Sequence, residues 1–544
     1  MQTARIVGAC AIIGVAACTS ILGDDFEVVQ PGAGGSGGQT TTGGQGGTGG
    51  QGGTGGQGGT CEVPTVAEAC ADACGELEVC GELFSCSSDC PGELTCGAEE
   101  ANRCGCATTP CALHGAAWGD LANQRISALA VDQQGNTIVA GDFRGSLQLG
   151  TETFTNTGAA RYDAFLAKLD PDGQVLWAKH YYSTLGDHDE QMVDVDLDQA
   201  DNVVFLGETY RDIDLGGGVL TADAGFFVAK LAPDGSHIFS DVYQTDFTVG
   251  AGALSAAPNG DVVVTGRFWG TLQMGSLSSI TAVGTQSYFD IFVATLAPDG
   301  TPQRLKRFGD GAEQEPMDVG VNGAGDIFLA SSFTGTFDFG LPNATTVSSS
   351  SFYSLALVKL TSTSFLAHGW TRQLGTDVYS VRLAQAPSNG LYVAGGFGDT
   401  LDIDTPALDS ANGGAFIARL DTDGNTVWAQ QLDQVLIRDI AAGPDDSVTL
   451  VCSGLGPVDF GGGPVGVDNG TRDLVIARLD ADGGQVFARA FAAPVGDQDP
   501  AAVGVGPAGS TSVGVNFDGQ ADFGTGTLNS QGEDDIAVIR YAAP

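Results

Sequence analysis

The sequence predicts an all-β fold, a seven-bladed β-propeller, and three observations carry that expectation. A unit of roughly 60 residues recurs from Ala112 to the end of the 544-residue chain, somewhat longer than a typical propeller repeat. A strand ending in a base followed by a large apolar residue occurs in seven copies, the third with Thr295 in place of the base. The last copy lacks its outer strand, and a matching segment stands at the start of the repeat region.

Four signals follow one another in each repeat. The first is a turn leading into a β-branched run, as in GNTIVAG at 135–141, GDVVVTG at 260–266 and GLYVAG at 390–395, with weaker copies at 447–452 and 510–515. Such runs bounded by Gly read as buried strands. The second is an alternating pentad, LQLG at 147–150, IDLG at 213–216, FDFG at 337–340 and VDFG at 458–461. Period-two alternation places both apolar side chains on one face. The third is the strand DAFLAKL at 163–169 and its relatives at 225–231, 290–296, 354–360, 414–420, 473–479 and 535–541. The fourth is a tight turn, DPDG at 170–173 or DTDG at 421–424, followed by an outer strand with Trp177 or Trp428. Pro presets the turn and Gly accepts the positive φ it needs. The fourth repeat departs, with TSTSFL at 361–366 in place of this hairpin.

The seventh copy stops at Tyr541-Ala-Ala-Pro544, directly after its third strand. The segment LHGAAWGD at 113–120 mirrors LKRFGD at 305–310. Pairing the first strand with the last hairpin would close the ring and remove sheet edges that template aggregation. Taken together, these motifs resemble the bacterial seven-bladed propeller repeat known as the SBBP repeat, over residues 112–544. That resemblance implies a propeller on a surface or secreted protein and names no ligand.

The N-terminus reads as an export signal over 1–17. Arg5 precedes an apolar run at 6–15, and Val15-Ala16-Ala17-Cys18 resembles the bacterial lipobox, which implies lipidation at Cys18. Thr19 follows, so the chain is expected to be exported and lipid-anchored, at the outer membrane or cell surface. Residues 18–60 form an expected disordered tether, with GGQGGT written three times over 43–60. Such a segment has no side chains to bury and much backbone entropy to lose. Ten cysteines then crowd residues 61–111: Cys61, Cys70, Cys74, Cys80, Cys86, Cys90, Cys96, Cys104, Cys106 and Cys111. An even number in an exported chain predicts a small disulfide-stapled segment of open connectivity. The spacings Cys70 to Cys74 and Cys86 to Cys90 suit one helical face. No C-x-x-C pair and no His stands in the cluster, which argues against zinc.

A formal net charge of -44 disfavours nucleic acid and anionic membrane surfaces as partners. Acidic residues recur at the expected blade-to-blade linkers, and Asp120, Asp187, Asp310, Asp377 and Asp497 form a candidate metal ring at the channel mouth, with calcium as the possible ion. No other cofactor is implied. The matches to G-x-G-x-x-G at 32–37 and 504–509 open no helix, so neither signals a dinucleotide. The five His are scattered, and no nucleophilic triad is arranged in a known motif. Cys452 reads as strand packing. The expected function is non-catalytic: a monomeric surface propeller binding a protein, peptide or glycan through variable loops such as 283–289 and 343–352. The alternatives are a hydrolase or lyase with its site at the acidic mouth, and a purely structural envelope spacer.

Overall fold

The computed structural model describes residues 109–544, apart from 157–160, 184–187, 284–287, 338, 340–345, 362–366, 399, 404–406, 411–412 and 494–495, together with four short strands between 75 and 106. The signal, Cys18, the tether, Cys61, Cys70, Cys74, Cys80, Cys90 and Asp187 lie outside the described residues. In the cysteine-rich segment Gly75–Val79 pairs with Glu82–Cys86, and Leu94–Cys96 with Cys104–Cys106. Cys86 therefore ends a strand instead of starting a helical turn. The alternation Leu77, Val79 and Leu83 favours the extended chain there.

The rest is an all-β propeller. Its innermost strands are β1 (Gln124–Val131), β2 (Glu190–Leu197), β3 (Thr248–Ala256), β4 (Gln314–Val321), β5 (Val378–Gln385), β6 (Val435–Ala442) and β7 (Gln498–Val505). Each touches the next, and β7 returns to β1. The second and third strands of the repeats are mostly buried, and Thr137–Phe143 and Asp163–Leu169 are buried along their whole length. Both of their faces pack on neighbouring sheets, which explains their continuous apolar runs. The core is accordingly divided into seams between sheets. In one, Val204, Leu206 and Phe226 meet Leu254, Val264 and Phe292. The Phe226 and Phe292 rings stack at 5.2 Å.

The expectation of seven blades needs correction. Among the described residues six sheets are regular four-stranded blades. The fourth repeat instead contributes to a six-stranded sheet. Its third strand, Val347–Thr361, runs for 15 residues, and its outer strand, Ala367–Thr376, continues until Gly375 pairs with Leu401 of the next repeat. The extension lies at the loop end of the strands, where residues 335–337 pair with residues 347–349 in the same ladder instead of forming the separate two-stranded hairpin of most other repeats. The same extension makes strand of residues 347–352, read from sequence as part of a loop.

Ring closure follows the split repeat. Ala112–Trp118 pairs antiparallel with Asp535–Tyr541, from Ile536 opposite Trp118 to Tyr541 opposite Ala112. The Ala542 N–H donates to the Cys111 carbonyl at 2.8 Å.

The base of the third strand turns out to stitch the seams. Lys230 Nζ lies 2.7 Å from Asp198 in its own sheet and donates to the Gly260 carbonyl of the next at 3.2 Å. Lys168 joins Asp132 to Pro233, and Lys359 joins Asp326 to Thr422. Arg419 and Arg478 reach the Ala481 and Gly509 carbonyls, and Arg540 reaches Gly135 across the closure. The tryptophans belong to the same seams. Trp177 Nε1 donates to Pro233 O and Trp428 Nε1 to Ala481 O. Gly483, at φ 85°, lies beneath the Trp428 ring, where a Cβ would come within 2.9 Å. The hairpin Gly thus serves both its own turn and the neighbour's indole.

Candidate functional site

Every inner strand carries one bulge, for example between Met192 and Asp194 and between Pro316 and Asp318. A bulge re-aims the side chains beside it. The channel edges of these strands also expose main-chain N–H groups that no neighbouring strand pairs. Asp194 of β2, Asp318 of β4 and Asp439 of β6 follow their bulges and supply the missing acceptors. Their Oδ2 atoms accept from Leu254 of β3 (2.8 Å), Leu383 of β5 (2.7 Å) and Val503 of β7 (2.8 Å). Their Oδ1 atoms accept from the next residue's own N–H. The alternate strands β1, β3 and β7 carry Ala128, Ala253 and Ala502 at the same register position, and β5 carries Arg382. Asp196 repeats the latch on Ala256. At the closing seam, Asn516 accepts from Ile126.

These groups surround a channel cavity of about 410 Å³. Burial deep in the ring pushes all four carboxylates up. For Asp194, well above the ordinary range, the nearby Asp318 and Asp196 add to the effect. Asp318 and Asp439 are pushed up to about 6, with the Arg382 guanidinium holding both down from a higher value. Cooperative latching of adjacent strands is what this arrangement does chemically. It also concentrates negative potential along the axis.

The acidic residues singled out in the linkers are placed differently. Asp120 accepts from the Ala122 and Ser146 N–H groups and from Gln124 Nε2. Asp310 does the same in the fourth repeat, with Ala312, Thr336 and Gln314. Asp497 accepts from the Arg472 N–H at 2.9 Å. Asp377 has φ 57°, and its carbonyl accepts from Gly398. The carboxylates of Asp120, Asp310 and Asp497 tie linkers to loops of their own and adjoining sheets. Among the described residues no three His, Cys, Asp or Glu side chains gather so as to hold a metal ion. Cys452 is fully buried in Val448–Gly454, and burial pushes its thiol up.

The linkers between sheets and the loops between second and third strands emerge on one face. Strands alternate in direction, so the two kinds of tight turn lie on the other face. Tyr182, Tyr210, Phe247, Tyr288, Tyr353 and Tyr379 all belong to the loop face, at 40–57% exposed. Phe247 packs on Trp269 at 4.0 Å. Three cations on this face are engaged: Arg161 with Asp189, Arg267 with Glu315, and Arg125 with Asp142. Sequence reading missed both the channel latches and this aromatic face. For the latches a signal exists, an Asp directly before an apolar residue ahead of the first turn in VDVD at 193–196, MDVG at 317–320 and RDIA at 438–441.

No family model matches the chain, and no curated protein matches it. Among solved structures, the WD40 domain of Neurospora crassa Pan2 is similar at 11% identity, over 79% of this chain and 96% of that one, with a TM-score of 0.39. The WD40 repeats of RRP9 align over 80% of this chain and 99% of theirs, at 8% identity and a TM-score of 0.42. A protein of unknown function from Dyadobacter fermentans aligns at 10% identity over 80% and 99% of the two chains, with a TM-score of 0.37.

Proposed function

We propose that this chain is an exported, lipid-anchored protein of the bacterial envelope that displays its propeller, without catalysis, for a partner at the cell surface. The partner is a protein, peptide or glycan bound on the loop face. In this reading Cys18 carries the lipid, the Gly-rich segment holds the propeller off the membrane, and the cysteine-rich segment is disulfide-stapled. The repeat is of SBBP type, and the wide sheet counts as one unit of a seven-fold ring.

The observation that supports the reading best is the set of exposed aromatic side chains on a face where Arg161, Arg267 and Arg125 are each paired with a carboxylate. Exposed Tyr and Phe on a rigid frame bury large area at low entropic cost and dominate binding surfaces. A hydrolase or lyase in the channel would draw on the raised Asp318 and Asp439. Both oxygens of each carboxylate, however, already accept main-chain N–H groups, which suits a structural latch.

The test is capture of envelope components by the full chain and by a variant carrying Tyr182→Ser, Tyr210→Ser and Phe247→Ser. The expected result is a specific partner whose retention falls at least about ten-fold in the variant, at unchanged melting temperature. Equal retention by both proteins, or no partner above a bead control, would contradict the reading.

A further inference from the structure

One rung of the inner ladder differs in β5. Tyr379 there stands opposite Gly396 on the second strand. In the other repeats the same rung holds Arg125 and Asp142, Gln191 and Glu208, Gly250 and Arg267, Glu315 and Ser332, Leu436 and Ser453, or Asp499 and Asn516. Each of those pairs has at least one polar or charged member. In β5 the pair has become an aromatic ring and the absence of a side chain. The two are matched, because a Cβ at Gly396 would meet the Tyr379 ring at 2.2–2.8 Å. Gly396 gives the ring its seat, and the ring's other side remains exposed.

The backbone around this ring is also specialised. Asp377 and Ser380, on either side of Tyr379, have φ of 57° and 53°, and Gln434 across the gap has φ 59°. Non-Gly residues in the left-handed region are uncommon and cluster where a side chain must be aimed. The ring forms one wall of a hollow of about 640 Å³ between the fifth and sixth repeats. Leu455 adds a second apolar wall, and Asp409, Gln431, Asp433 and Gln434 supply polar groups. Among the described residues no Lys or Arg lines it. Asp433 accepts from Gln431 Nε2 at 3.1 Å.

We infer that this hollow is a saccharide-binding cleft for a neutral pyranose unit. The inference rests on the surface-binding reading above and names a ligand class for one part of the same face. The hollow offers carboxylate and amide oxygens in excess of donors, so it suits a ligand rich in donor groups. Sugar hydroxyls are such donors. The flat C–H face of a pyranose matches an exposed tyrosine ring seated against a glycine. The volume falls in the range of small-molecule sites, ~300–1,000 Å³.

The test is binding of the full chain to an array of neutral oligosaccharides, followed by titration with the best of them. The wild type is expected to bind at least one, and Tyr379→Ala and Asp433→Ala to weaken it about ten-fold or more. Gly396→Val, which displaces the ring without removing it, is expected to weaken binding similarly. Circular dichroism melts of all variants check that the fold is intact. The Tyr182, Tyr210 and Phe247 triple variant should keep its saccharide binding, so this inference and the wider reading can fail separately. Absence of any saccharide binding, equal binding by Tyr379→Ala and Asp433→Ala, or preference for a lysine-rich peptide over every saccharide would overturn the inference.

Discussion

Asp318 and Asp439 show how a single side chain here trades solvation for register. Each leaves bulk water, caps a main-chain N–H on the next inner strand, and keeps its proton up to about 6 where an unburied Asp releases it near 3.8. The folded state therefore binds more protons than the unfolded chain within that window. Stability falls as pH rises through it and is level above it. Asp132, Asp198 and Asp445 act in the opposite sense. Burial would raise Asp132 and Asp198, but hydrogen bonds from Lys168 and Lys230 hold them below the ordinary value. Hydrogen bonds from Ser447 and Arg478 bring Asp445 down to about 2. The contribution of these three is present above 3.8 and is lost as pH falls through their lowered values. The melting temperature is thus expected to be higher at pH about 4.5 than at pH about 7. General repulsion in so acidic a chain slopes the same way, so the diagnostic comparison is with Asp318→Asn/Asp439→Asn. That variant should show a flatter profile over the same range, and an unchanged slope would speak against the latches. At this scale the sequence was only partly legible. Asp120 and Asp310 were visible as recurrent linker acids, but their use as turn caps depends on which N–H groups the fold brings near them. The match of Tyr379 to Gly396 depends on strand register and left no pattern along the chain.

Among elements, the seam between sheets is the unit of stability. Its signals were the most readable in the sequence, because they recur: the base before Leu, the hairpin Gly and the following Trp. What recurrence could not tell is that they act across two sheets at once. Lys230 is 1% exposed and joins Asp198 to the next sheet's turn. Removing the ammonium leaves a buried carboxylate without its partner. Lys230→Met is expected to cost about 3–5 kcal/mol. The same change at Lys359, whose pair with Asp326 is more open to solvent, should cost less. Urea unfolding of the two variants checks the order, and equal losses would contradict it. The fourth repeat shows the limit of reading by analogy. Its missing D-x-D-G turn was plain in the sequence, yet the departure in the fold, a strand of 15 residues in a widened sheet, lies at the opposite end of those strands. There the second strand runs on through residues 335–337 and pairs with residues 347–349 in the same ladder.

At the scale of the whole molecule, the chain ends where its own outer strand is missing, and the segment that opens the propeller supplies it. Closure leaves the inner strands as an uninterrupted ring and sets every linker on the same face as the exposed tyrosines. Both the channel and the loop face depend on it. The most direct test places cysteines at Ala117 and Ala537, which stand opposite each other in the closing pair. After mild oxidation, peptide mapping by mass spectrometry should find a linkage between residues 117 and 537 within one chain, with a raised melting temperature. Failure to cross-link, or linkage only between two chains, would contradict a ring closed by its own first strand.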